Sequence, residues 1–124
     1  MLRAAVAAVL LVTAVFAVRA DTPAPNTAAS IEAGRVLYLR HCTECHGADG
    51  RAQMDVIANA TDLTEPALYL NGSGVEEIYR SIDEGAGVAM PAWGAQLKGG
   101  EEVWQLVNFV RSLWPQEQRP AVIK

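Results

Sequence analysis

Residues 41–47 read His41-Cys42-Thr43-Glu44-Cys45-His46-Gly47. Both cysteines of the chain fall here, three positions apart, and one of its two histidines follows directly. Residues three apart on a helical turn face the same way. Two thiols at this spacing can therefore each form a thioether with one vinyl group of a single haem, while Thr43 and Glu44 point elsewhere. His46 is then carried under the ring plane, where its imidazole can bind the iron as the proximal ligand. Other chemistries of the same residues fit less well. A redox-active C-x-x-C expects strands alternating with helices around it, and a structural disulfide gives His46 no task. Zinc would need one short turn of chain to wrap the ion tetrahedrally with His41, Cys42, Cys45 and His46.

Upstream of this motif, residues 27–41, TAASIEAGRVLYLRH, place Ile31, Gly34, Leu37, Tyr38 and His41 on one face of an amphipathic helix. Glycine inside a helix costs about 1 kcal/mol relative to alanine, so Gly34 points to a second backbone packed close against it. Downstream, residues 99–114, GGEEVWQLVNFVRSLW, form the strongest helical pattern, with Val103, Leu106, Val107, Val110, Leu113 and Trp114 on one stripe. Pro115 ends it, and Glu101, Glu102 and Arg111 sit where the helix dipole favours them. Residues 65–70 and 75–84 are shorter helical candidates, separated by the breaker Asn71-Gly72-Ser73-Gly74. No strand alternation appears, so the expected fold is all-α. The long irregular connections at 47–64 and 85–98 need an organiser, and a bound ligand would supply it.

The ends of the chain are read from composition. Residues 1–20, MLRAAVAAVLLVTAVFAVRA, combine Arg3, an apolar run and small residues before a cut between Ala20 and Asp21, as in a secretory signal peptide. The run of about 15 apolar residues falls short of the roughly 20 that span a bilayer. Residues 21–27 are expected to be a flexible linker, 28–115 the folded domain and 116–124 a tail. Removing the leader takes away Arg3 and Arg19 and leaves 14 acidic against 8 basic residues, a formal charge of −6. That balance disfavours nucleic acid as a partner, and no membrane span is expected after cleavage.

A helix, C-x-x-C-H, irregular loops, a methionine in a Gly/Pro loop and a C-terminal amphipathic helix together resemble a class I monohaem cytochrome c of the soluble, periplasmic type. The resemblance covers about residues 28–114. It implies a small domain of three to five helices wrapped around one covalent haem c, with Gly34 and Tyr38 of the first helix facing Leu106 and Phe109 of the last. The sequence departs from the family after the motif. There the family usually has a proline whose carbonyl accepts the second N–H of the histidine, whereas residues 47–65 contain no proline. The acceptor for His46 stays unassigned.

Met90 is the candidate sixth ligand. It lies in GAGVAMPAWG, residues 85–94, where glycines and Pro91 prevent a regular helix and leave the loop free to wrap the far side of the haem. The family resemblance supports the same choice, and a soft thioether raises the reduction potential. Met54, eight residues after His46, is the alternative. His41 is read as a half-exposed helix residue, and Arg51 as a solvated loop charge before a propionate partner. Tyr69 and Trp93 are equally open to core packing and to contact with the macrocycle.

The expected site is therefore Cys42 and Cys45 on the haem vinyls, with His46 and Met90 on the iron. The expected function is a periplasmic carrier of single electrons, a monomer working between a dehydrogenase donor and an oxidase or reductase acceptor, and not an enzyme. The alternative is a cytochrome subunit of a periplasmic dehydrogenase or terminal oxidase complex. A haem enzyme or gas sensor would need an open iron position, against which Met90 argues.

Overall fold

The computed structural model describes residues 22–53 and 60–124. The leader at 1–20, its cut before Asp21 and the alternative ligand Met54 lie outside the described residues. The described residues form four α-helices: α1 (Ala28–His41), α2 (Thr43–His46), α3 (Val75–Glu84) and α4 (Gly100–Ser112). Short 3-10 turns stand at Pro66–Leu68 and Gln116–Gln118. Among the described residues no strand forms, only isolated bridges between Thr27 and Ile123 and between Ala86 and Met90. The all-α expectation holds.

α1 starts where it does because Thr27 caps it, its Oγ1 accepting the Ser30 N–H at 3.1 Å, a cap worth about 1 kcal/mol. Cys42 stays in the right-handed helical region and its N–H bonds the Tyr38 carbonyl. α2 therefore continues α1 after one residue, until Gly47 at φ 74° turns the chain away. α4 is the spine of the molecule. Val103, Trp104, Leu106, Val107, Asn108, Phe109 and Val110 are all buried, a wider face than one stripe, because α1, α3 and the N-terminal segment cover it from different sides.

α1 crosses α4 at Gly34. A Cβ there would fall on the Gln105 carbonyl and come within 2.8 Å of the Phe109 Cβ, while the Tyr38 ring lies 4.9 Å from that of Phe109. The helix contact implied by the family resemblance is present at Phe109, and the backbone met by Gly34 is that of Gln105, one residue before Leu106. α3 leans on α4 through buried Ile78 and Ile82. Its first turn is capped by Glu77, whose carboxylate accepts the Gly74 N–H at 2.8 Å. α1 and α3 both pack on α4 and not on each other, which leaves a space between them.

Two local expectations change. The helix read at 65–70 is only the 3-10 turn at Pro66–Leu68. Six residues ahead of Gly72, which sits at φ 93°, are too few to offset the cost of helix nucleation. Residues 22–27, expected to run as a free linker, are extended but held. The buried Asn108 amide donates to the carbonyls of Ala24 (3.2 Å) and Pro25 (3.1 Å) and to the Ser30 hydroxyl (2.9 Å). A buried amide on an apolar helix needs acceptors, and this segment supplies them. The C-terminal tail is fixed in turn, with the Asn26 amide on the Ala121 carbonyl (2.9 Å) and the Ile123 N–H on the Asn26 carbonyl (2.9 Å). Among the described residues no helix is long and apolar enough to cross a membrane.

Candidate functional site

The space between α1 and α3 is an apolar cavity that opens to solvent. Leu63, Leu70, Ile78, Ile82, Leu106 and Val110 line it, together with the rings of Tyr38, Tyr69 and Trp93. Cys42, His46 and Met90 all open onto it. Cys45 is half-buried on the same helical turn as Cys42, and both thiols are free. Burial, and then the neighbouring Cys45, push the Cys42 thiol up to about 12. It is therefore a neutral thiol and not the exposed, low-pKa thiolate of a redox-exchange site.

His46 is oriented from below. Its Nδ1 lies 2.9 Å from the Thr61 carbonyl. A carbonyl only accepts, so Nδ1 carries the proton and donates it, which leaves the Nε2 lone pair free for a metal. Burial holds the imidazole below its ordinary pKa, against the smaller opposing effect of the Thr61 bond. The Thr61 carbonyl is itself positioned by the turn at residues 62–64. The Leu63 N–H bonds the Gly50 carbonyl at 2.7 Å, and Asp62 Oδ1 accepts from the Thr64 N–H (2.8 Å) and hydroxyl (2.6 Å). The Tyr69 hydroxyl donates to the Leu63 carbonyl (2.7 Å) and accepts the Trp114 indole N–H (3.0 Å). On the other side, the Tyr38 hydroxyl donates to the Gly47 carbonyl at 2.6 Å and the Ala52 N–H bonds the His46 carbonyl at 2.8 Å.

Thr61 thus takes the place that the sequence left unassigned. Sequence reasoning missed it because a main-chain acceptor needs no particular residue type. The nearest available signal was the turn-forming pair Asp62 and Thr64, which marks where the chain folds back.

Met90 sits at the base of a tight loop. The N–H groups of Ala86 and Met90 bond each other's carbonyls at 3.2 and 3.3 Å. Gly85 stands at φ 87°, and a Cβ on it would come within 2.7 Å of the Met90 carbonyl. The loop is tied to the end of α3 by the Trp93 N–H on the Ile82 carbonyl (2.9 Å) and the Gly94 N–H on the Asp83 carbonyl (3.1 Å). Of the secondary candidates, Tyr69 and Trp93 both line the cavity and pack against the core. Arg51 is exposed, 3.8 Å from Asp49. The His41 ring rests 5.3 Å from that of Trp93.

These residues fit a haem. The cavity is mostly apolar, as cofactor sites are. It carries an imidazole whose ring is fixed by the bond of its other nitrogen, a thioether and the Cys42 thiol, with Cys45 on the same turn.

Residues 29–110 match the family model described as cytochrome c oxidase, cbb3-type, subunit III. The chain belongs to this family of cytochrome c domains. Among curated relatives, the cytochrome is 33% identical over 92 residues to the cbb3-type cytochrome c oxidase subunit FixPc of Rhizobium leguminosarum bv. viciae, covering 74% of this chain and 31% of that one. It therefore spans about a third of the length of the curated relatives it matches. Among solved structures it is similar to the reducing HAO-like protein complex Kustc0457/Kustc0458 of Kuenenia stuttgartiensis, with a TM-score of 0.69 and 25% identity over 79% of this chain and 50% of that one. Cytochrome c6 from the diatom Phaeodactylum tricornutum matches at TM-score 0.53 and 31% identity, over 64% of this chain and 88% of that one. The resemblance of the cytochrome to class I cytochromes c holds on both counts.

Proposed function

We propose that this cytochrome holds one haem c through thioethers to Cys42 and Cys45, with His46 and Met90 as axial ligands, and passes single electrons between redox proteins in the periplasm. The reading rests on His46, which opens onto an apolar cavity shared with Cys42 and Met90 while its Nδ1 is committed to the Thr61 carbonyl. The bound haem supplies a one-electron ferric/ferrous couple. The chain's own residues do the rest. Thr61 fixes the tautomer and orientation of His46. The apolar wall would exclude water, and the Met90 loop would offer the iron a soft thioether. Held by His46 and Met90 together, the iron would have no position left for a substrate, which favours a carrier over an enzyme. Residues 1–20 serve as the export signal that brings it to the compartment where the haem is attached.

A second reading is favoured by the relatives, which are named as oxidase subunits and matched over only a third of their length: the cytochrome works as one subunit of a larger redox complex. Size-exclusion chromatography of the protein purified from its native membrane and soluble fractions separates the two. A monomer that exchanges electrons with several partners supports the carrier, and persistent co-purification with one oxidase or dehydrogenase supports the subunit.

The primary test is an optical spectrum of the mature protein, oxidised and reduced, with its pyridine haemochrome. Covalent low-spin haem with the weak near-infrared sulfur-to-iron band is expected, and Met90→Ala should keep the haem, lose the band and lower the potential. An unchanged band and potential in that variant would overturn Met90. Absence of covalent haem in the wild type would overturn the whole reading.

A further inference from the structure

The cavity has one side that no helix pair closes, because α1 and α3 meet only through α4. One lip of that side is the turn bearing Cys42 and His46, and the other is the loop bearing Met90. Among the described residues, no hydrogen bond or ion pair joins residues 28–46 to residues 85–98. The backbone bonds of Trp93 and Gly94 run to Ile82 and Asp83, at the end of α3.

What crosses the opening is a ring contact. His41 is the last residue of α1 and the neighbour of Cys42, and its half-buried ring lies 5.3 Å from the Trp93 ring at an interplanar angle of 48°. Tilted aromatic pairs at this separation attract beyond their buried area. Trp93 lines the cavity three residues after Met90. Packing His41 on Trp93 thus pins the indole, and with it the Met90 loop, to the turn that carries the cysteines.

We infer that His41 is a positioning residue that latches the Met90 loop across the mouth of the cavity, and so sets how often the iron is exposed to small outside ligands. The inference rests on the proposed His46/Met90-ligated haem. Trp93 makes the loop-side half of the latch, and His41 acts through it without touching the iron.

His41 has a second physical role available, that of a basic residue at a helix C-terminus, where positive charge is favoured. The two roles part under substitution. His41→Phe keeps a ring and removes the basic group, whereas His41→Lys keeps a basic group and removes the ring.

The test measures the rate at which imidazole binds ferric holoprotein by stopped flow, alongside the near-infrared sulfur-to-iron band of each variant. Loss of one aromatic contact should make His41→Ala and His41→Lys bind about two- to tenfold faster than wild type, with His41→Phe restored close to the wild-type rate. Should His41→Ala not be recovered as holoprotein, the Lys and Phe variants decide alone. Equal rates in all variants, or rescue by Lys and not by Phe, overturn the latch. A wild type that lacks covalent haem or the near-infrared band overturns the ligand reading on which the latch rests, and is told apart because it precedes any substitution.

Discussion

The two sides of the cavity are built on different principles. On the Cys42 side, α1 crosses α4 with Gly34 against the Gln105 carbonyl, and Tyr38, Val103, Leu106 and Val107 are fully buried around the crossing. On the Met90 side, residues 85–98 hold no helix. The loop turns on glycines at φ 87° and 58° and exposes Val88 completely. The first half is specified by close packing within the chain, where a displaced methylene is felt. The second relies on backbone conformations and a few bonds, and on what it closes over. A cytochrome built this way can keep the His46 side of its cavity rigid while the Met90 side tolerates adjustment.

Breaking the rigid half should have the largest effect. Gly34→Val puts a branched side chain on the Gln105 carbonyl and the Phe109 Cβ, and should cost about 3 kcal/mol, seen as a lower guanidinium midpoint for the holoprotein. Asn108→Ala removes the amide that holds Ala24, Pro25 and Ser30. A loss of about 2 kcal/mol is expected, together with faster proteolysis within residues 22–27 and an unchanged haem spectrum.

Gly85→Ala sharpens the contrast from the other side. It forces a side chain into the left-handed region, at about 1–2 kcal/mol, and towards the Met90 carbonyl. The near-infrared band should weaken while helix content by circular dichroism stays the same, because the strain is confined to the loop. Tyr38→Phe should have the smallest effect, about 1 kcal/mol from the lost bond to the Gly47 carbonyl, read by thermal unfolding.

The same division explains what could be read in the sequence. α1 and α4 were legible because a buried helix face repeats every three to four residues, and Gly34 was legible because a helix-breaking residue inside such a pattern needs a packing reason. The C-x-x-C-H motif was legible because both cysteines and His46 lie within five residues. The acceptor for His46 was not, since the Thr61 carbonyl lies 15 residues away and belongs to the backbone. Asn108 hid within an apolar stripe, and its partners Ala24 and Pro25 lay in a stretch whose prolines read as a linker. The helix expected at 65–70 failed because local propensity was counted without the length needed to nucleate it. Trp104 and Phe109 fell off the predicted stripe and are nevertheless buried, since α4 is enclosed on more sides than a surface helix.

The pairing of the two chain ends has a mechanical consequence. Thr27 and Ile123 form a parallel bridge, with the Ile123 N–H on the Asn26 carbonyl and the Asn26 amide on the Ala121 carbonyl. Parallel segments leave such a clasp in opposite directions, so a pull applied at residues 22 and 124 loads these bonds together in shear instead of peeling them one at a time. Traction between the two ends is borne at the clasp before it reaches α1 or α4, so the crossing of those helices stays insulated from tension applied at the ends.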